Sequence, residues 1–147
     1  RGKQRRRRIG LGAQQVVEDT MPAYKFSVLA RAVPSYNGRR ERIPRVLAWY
    51  QVVRDRFIEC FPEFRTADRL EFAGKRARWK PPINLPPHVT ATLTAHFALK
   101  GGRQPDLAQL TKALEDAIFS NDYNVTEHHM TLDRSAGQDR VDVEVCL

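Results

Sequence analysis

A chain of 147 residues, 41% hydrophobic and 29% charged, has the size and composition of one folded domain. No apolar run approaches the ~20 residues of a membrane helix, and no apolar segment follows the basic N-terminus as a secretion signal requires. Two cysteines, Cys60 and Cys146, are too few for a disulfide framework, so the expected compartment is the cytoplasm.

The net charge of +8 is unevenly spread. Residues 1–8 carry six basic groups and no acid. Residues 31–80 hold thirteen basic and six acidic groups, whereas residues 81–147 hold five basic and nine acidic. Basic surface points to a polyanion such as nucleic acid. An acidic patch beside it repels phosphate unless metal ions neutralise it, and that pairing suits a metal-dependent nuclease. The same distribution also describes a dipolar surface tuned for solubility.

Residues 1–20 read as a basic arm or leader, with Met21-Pro22 as an alternative chain start. Residues 21–147 read as a single domain. Tyr24, Phe26, Val28 and Ala30 alternate with Lys25, Ser27 and Arg31, which predicts a strand over 24–31. Pro34 to Gly38 is a loop by composition. Pro44 suits a first helical turn. Val46, Trp49, Tyr50, Val53, Phe57 and Cys60 recur at helical spacing, so 45–60 is an amphipathic helix that Pro62 ends. Residues 63–87 lack a clean period and hold Pro81-Pro82 and Pro86-Pro87, which predicts one extended basic loop. Its Lys75, Arg76, Arg78 and Lys80, with Arg39 and Arg40 upstream, are candidate DNA-backbone contacts, and Trp79 is a candidate base-stacking ring or a core residue.

Residues 88–99 give the cleanest strand, with Val89, Ala91, Leu93, Ala95, Phe97 and Leu99 alternating with Thr90, Thr92, Thr94 and His96. Pro105-Asp106 announces a helix with a buried stripe of Leu107, Leu110, Leu114, Ala117 and Ile118. Lys112, Glu115 and Asp116 take its exposed side. Val125–Leu132 is a strand, Ser135 to Asp139 a turn, and Val141, Val143 and Val145 mark a last strand paired with it in a hairpin. The order β-α-β-α-β-β predicts an α+β fold, a mixed sheet with two main helices packed on it.

The segment 105–122 holds the most informative side chains. Phosphodiester hydrolysis uses clustered carboxylates to hold Mg²⁺, and a nearby lysine steadies developing negative charge. Asp106, Asp116 and Asp122 are the candidate ligands and Lys112 the candidate cation. Each also has an ordinary structural reading. Asp106 is a good N-cap with Gln109 three residues on. Lys112 and Asp116 make an i,i+4 surface pair. Asn121-Asp122 is common turn chemistry. A twelve-residue helix spans roughly 18 Å, so Asp106 and Asp122 approach each other only if the chain after Ile118 folds back along it.

Asp106-Leu107, Leu110, Lys112, Glu115-Asp116-Ala117-Ile118 and Asp122 with Val125 resemble the signature of the RusA family of Holliday-junction resolvases, mostly encoded by phages and prophages. The loop Pro34-Ser35-Tyr36-Asn37, the 45–60 helix, the strand before Pro105 and the closing hairpin match in order. The resemblance covers about residues 24–147, with 63–87 as a longer insertion. It implies a homodimeric, Mg²⁺-dependent endonuclease (Mn²⁺ as substitute) that binds four-way DNA junctions and nicks paired strands symmetrically in a bacterial or phage-infected cell. By position, Asp106 and Asp122 become metal ligands and catalytic acids, and Lys112 a catalytic cation. Three positions depart from the pattern. The family's second aspartate falls on Ala108, its following asparagine on Gln109, and the first acid of its later pair on Asn121. Either Glu115 or Asp116 substitutes as a ligand, or the protein binds junctions without cutting, or Ala108 is an inactivating replacement.

A non-catalytic DNA-binding protein of the same fold, or a subunit of a larger assembly, is the main rival reading. An RNA-binding module rests on basic charge alone, without an aromatic RNP-type pattern. His128 and His129 are neighbours on a predicted strand and so point to opposite faces. His96 sits on the polar face of its strand, from which it could overlook the acidic cluster, and is not counted among the candidate site residues.

Overall fold

The most regular alternation in the chain becomes the most buried strand. The structure, a computed structural model, describes residues 22–35, 44–65, 81–102 and 105–147, and the backbone alone at 70–71 and 77–78. Its elements are β1 (Ala23–Val28), α1 (Pro44–Cys60), β2 (Leu70–Glu71), β3 (Ala77–Arg78), β4 (Ala91–Lys100), α2 (Leu107–Ile118), β5 (Val125–Asp133) and β6 (Ser135–Cys146). Short 3₁₀ turns follow α1 at Pro62–Phe64 and α2 at Asp122–Asn124.

The main sheet runs in the order β1-β6-β4-β5. β4 pairs parallel with β5 through the α2 crossover and antiparallel with β6, which also pairs antiparallel with β1. The fold is α+β: a four-stranded mixed sheet with α1 and α2 packed on one face. No helix among the described residues is long and apolar enough to cross a membrane.

Period-two alternation decides what each face carries. Leu93, Ala95 and Phe97 of β4 stand opposite Val145, Val143 and Val141 of β6, and all are buried. They meet Val46, Trp49, Val53 and Phe57 of α1 and Leu110, Leu114 and Ile118 of α2 in one core. Tyr24, Phe26, Phe57, Phe61 and Phe64 add tilted and edge-to-face ring contacts at centroid separations of 5.0–6.5 Å. The other face is polar and uncovered among the described residues. One row across it reads Ser27, Asp142, His96 and Thr131; the next reads Lys25, Glu144, Thr94 and His129.

Two expectations are corrected here. β5 and β6 do not form a hairpin. A single residue, Arg134, separates them, and the chain steps around the end of β4 so that the two strands flank it. Pairing β6 with β4 sets the three valines of β6 against the apolar side chains of β4, burying more than a β5–β6 hairpin could. The predicted turn at 135–139 lies within β6 as an irregularity. The register passes from Ala98 opposite Arg140 to Lys100 opposite Ser135, and Asp139 Oδ1 accepts from the Lys100 amide at 2.8 Å.

Residues 63–87 are likewise not one extended loop. β2 and β3 form a two-stranded antiparallel ladder, and further on Ile83 and Leu85 are buried in the core. The prolines at 81, 82, 86 and 87 disfavour helix around Ile83 and Leu85, but these two side chains still carry enough apolar surface to be drawn inward.

Candidate functional site

Sequence and packing together fix both ends of α2. β4 ends at Lys100, and Gly101 and Gly102 turn the chain with φ of 76° and 91°, where side-chain-bearing residues are strained. Asp106 then caps the helix, its Oδ1 accepting from the Gln109 amide at 3.0 Å. Arg134 Nη1 donates to the Pro105 carbonyl at 2.8 Å, and the amide of buried Ser35 donates to the Gln109 carbonyl at 3.0 Å. The loop after β1 and the β5–β6 junction thus hold the helix N-terminus in place.

At the far end the chain folds back. Lys112 Nζ lies 2.6 Å from Asp122 Oδ2 and 3.2 Å from Asp116 Oδ1. Lys112 therefore joins its own helix to the turn beyond it, and Asp116 and Asp122 flank one ammonium. The hydrogen bond that Lys112 donates to Asp122 is the largest cause that lifts the Lys112 pKa above the ordinary lysine range. Partial burial opposes it, and the charge of Asp116 reinforces it. The Lys112 side chain is 53% exposed, so solvent screening holds the net stabilisation near 0–1 kcal/mol.

The structure brings Lys112, Asp116 and Asp122 together. Asp106 stands six residues before Lys112, ~9 Å along the helix axis at ~1.5 Å per residue. Ala108 is exposed one turn before Lys112, on the stripe that Asp116 continues. Carboxylate oxygens are the donors Mg²⁺ prefers, and the ion commonly binds through one or two carboxylates with water completing its shell. Asp116 and Asp122 suit that chemistry. Among the described residues no three His, Cys, Asp or Glu side chains are grouped to hold a metal.

The turn carrying Asp122 is fixed by amides. Asn121 Oδ1 accepts from the Leu85 amide at 2.9 Å while its Nδ2 donates to the Leu85 carbonyl at 2.6 Å. Asn124, 8% exposed, donates to the Pro86 carbonyl at 3.0 Å. Ile83 and Phe119 bridge in parallel, with Ile83 and Ser120 amides donating to the Ile118 and Ile83 carbonyls at 3.0 and 2.9 Å. Asn121 needs both a donor and an acceptor here, which a carboxylate cannot supply. That is a physical reason for an amide where the family pattern has an acid.

Two further expectations are corrected. Glu115 is not on the exposed side of α2. It is 8% exposed, beside Leu114 and Ile118, and its carboxylate pairs with Nε2 of His128. His128 lies in register with Leu93 and so on the helix-covered face, which lets it satisfy the buried carboxylate. His129 points to the opposite face, where Nε2 lies 2.8 Å from Glu127. His96 does not overlook the acidic cluster. It sits on the open face, away from α2, with Nδ1 2.6 Å from Thr131 Oγ1, beside a groove of about 660 Å³.

Arg39, Arg40, Lys75, Arg76, Trp79 and Lys80 lie outside the described residues, as does the side chain of Arg78. Sequence reasoning treated Asn121 as turn chemistry and did not single out Asn124 or Tyr123. The signal for the amides was present: two asparagines three apart follow a helix and face a proline-rich strip whose carbonyls need donors. Tyr123 between them is 74% exposed.

No family model matches the chain, and no curated protein matches it.

Proposed function

We propose that this protein acts in the cytoplasm, as a homodimer, as a RusA-like endonuclease on branched DNA. One observation carries the reading: Asp122 returns from beyond α2 to hold Lys112 at 2.6 Å, which joins the acid and the cation at the two signature positions. In this reading Asp116 and Asp122 would hold Mg²⁺ or Mn²⁺, whereas Asp106, ten residues before Asp116 and ~15 Å from it along the helix axis, caps the helix and does not reach that ion. The bound ion would neutralise and polarise the scissile phosphate. Lys112 places a fixed positive charge where negative charge develops. The basic segments 1–8, 39–40 and 75–80 supply salt-sensitive affinity for the DNA backbone. A two-fold dimer fits a substrate that presents equivalent strands in pairs.

A second reading, a junction-binding protein that does not cut, is favoured by two features. Ala108 leaves the Lys112 stripe one carboxylate short, and Lys112 already engages two acids.

Nicking of a synthetic four-way junction in Mg²⁺ tests both. Symmetric cutting by the parent that Asp122→Asn abolishes establishes the nuclease. Cutting only after Ala108→Asp points to a site lacking one ligand. Tight junction binding with no cutting by any form establishes the binding protein. Failure to distinguish a junction from a duplex, with no cutting, removes both.

A further inference from the structure

We infer that Tyr123 is a stacking platform for a nucleobase exposed at the branch point of the DNA. The inference rests on the branched-DNA reading above and names the residue that would give it preference for a branch over a plain duplex. Three large hydrophobic side chains are strongly exposed among the described residues: Leu29, Val52 and Tyr123. Tyr123 is the aromatic one, at 74% exposure.

Isolated exposed hydrophobics need no explanation in themselves. The backbone beneath this one sets it apart. The 3₁₀ turn Asp122–Asn124 is pinned on both sides of the ring. Asn121 makes a reciprocal pair of hydrogen bonds with the Leu85 backbone, and buried Asn124 holds the Pro86 carbonyl. Lys112 holds Asp122, the residue immediately before the ring. Three neighbouring side chains are thus spent on fixing a turn whose tip is an unburied phenol. A ring on a fixed turn loses less conformational freedom on binding than one on a mobile loop.

The chemistry of the ligand follows. A planar aromatic face with no charge of its own recognises another π face. Nucleobases at a branch point lose a stacking neighbour and present such a face, whereas bases inside a duplex do not. Base–aromatic stacking tolerates any base, so the contact reads DNA shape and not sequence. It also needs no local positive charge, which suits a ring that directly follows Asp122.

The test compares the parent, Tyr123→Ala and Tyr123→Phe for binding to a four-way junction and to a duplex of the same sequence. Junctions carrying 5-iodouracil at the branch are irradiated, and cross-linked residues are identified by mass spectrometry. Tyr123→Ala is expected to weaken junction binding about tenfold while leaving duplex binding unchanged, and Tyr123→Phe to bind like the parent. The cross-link is expected at residue 123. Because the side chain is exposed, both variants should keep the parent's urea midpoint. A parent that prefers junctions but gives no cross-link at residue 123, with the preference intact in Tyr123→Ala, overturns the role of Tyr123 and leaves the branched-DNA reading standing. A parent with no preference for junctions overturns the branched-DNA reading itself.

Discussion

Asp106 serves the helix whether or not it serves chemistry, and two substitutions separate those roles. Asn is as good an N-cap as Asp, whereas Ala leaves the Gln109 amide without its partner. Asp106→Ala should therefore cost ~1 kcal/mol of stability, and Asp106→Asn less than ~0.5 kcal/mol, both read from urea unfolding. If Asp106 also contributes to a metal site, both variants lose junction nicking, and the Asn form does so while fully stable. On the open sheet face, Asp142 accepts from Ser27 Oγ at 2.6 Å and from Arg140 Nε at 2.7 Å. Chiefly the Ser27 hydrogen bond holds its carboxyl below the ordinary aspartate range, with Arg140 adding to it and desolvation opposing. A folded value below the unfolded one means that Asp142 stabilises the fold above the ordinary pKa of ~3.9. That contribution disappears as pH falls through the lower, folded value. Ser27→Ala should move the Asp142 carboxyl titration, followed by NMR, back towards the ordinary value. An unmoved titration would assign the depression to Arg140 instead.

At the scale of elements, what sequence disclosed depended on how local the cause was. α1 and α2 were legible because apolar side chains at spacings of three and four can be buried only by a helix. β4 was legible because strict alternation fits one periodicity. Strand neighbours are set by long-range competition, which no window of sequence contains. Val141, Val143 and Val145 mark β6 as a strand, but their match to Leu93, Ala95 and Phe97 is what pulls it away from β5. Glu115 was misplaced for a similar reason: its burial depends on His128 from another element. The acid–lysine contact needed the fold-back after Ile118, which the Asn121 and Asn124 hydrogen bonds create. Asn121→Asp examines that device. It would create an acidic pair like that of the RusA signature but set a carboxylate oxygen against the Leu85 carbonyl, where Nδ2 now donates at 2.6 Å. Losing that bond in a partly buried position should cost ~1–3 kcal/mol by urea unfolding. A variant as stable as the parent would show that the turn is held by other contacts.

Over the whole molecule, charge and fold divide the labour. The acidic half of the sequence builds α2, β5 and β6 and with them the Lys112–Asp116–Asp122 cluster. The basic groups concentrate in residues 1–8 and 31–80. A polyanion would then be attracted by one part of the chain and presented to another whose acids repel it, unless cations intervene. Affinity and chemistry should therefore respond differently to salt and to mutation. Each cation that neutralises a DNA phosphate steepens the fall of log affinity with log salt by ~0.7–0.9. Replacing Lys75, Arg76, Arg78 and Lys80 by alanine, one at a time, should lower junction and duplex affinity together and flatten the slope by about that amount for each true contact. Changes at Asp116 or Asp122 should leave the slope no flatter, because removing a carboxylate removes repulsion and no cation. An unchanged slope across all four basic variants would exclude the 75–80 segment from the DNA interface and shift the electrostatic contribution to residues 1–8 and to Arg39 and Arg40.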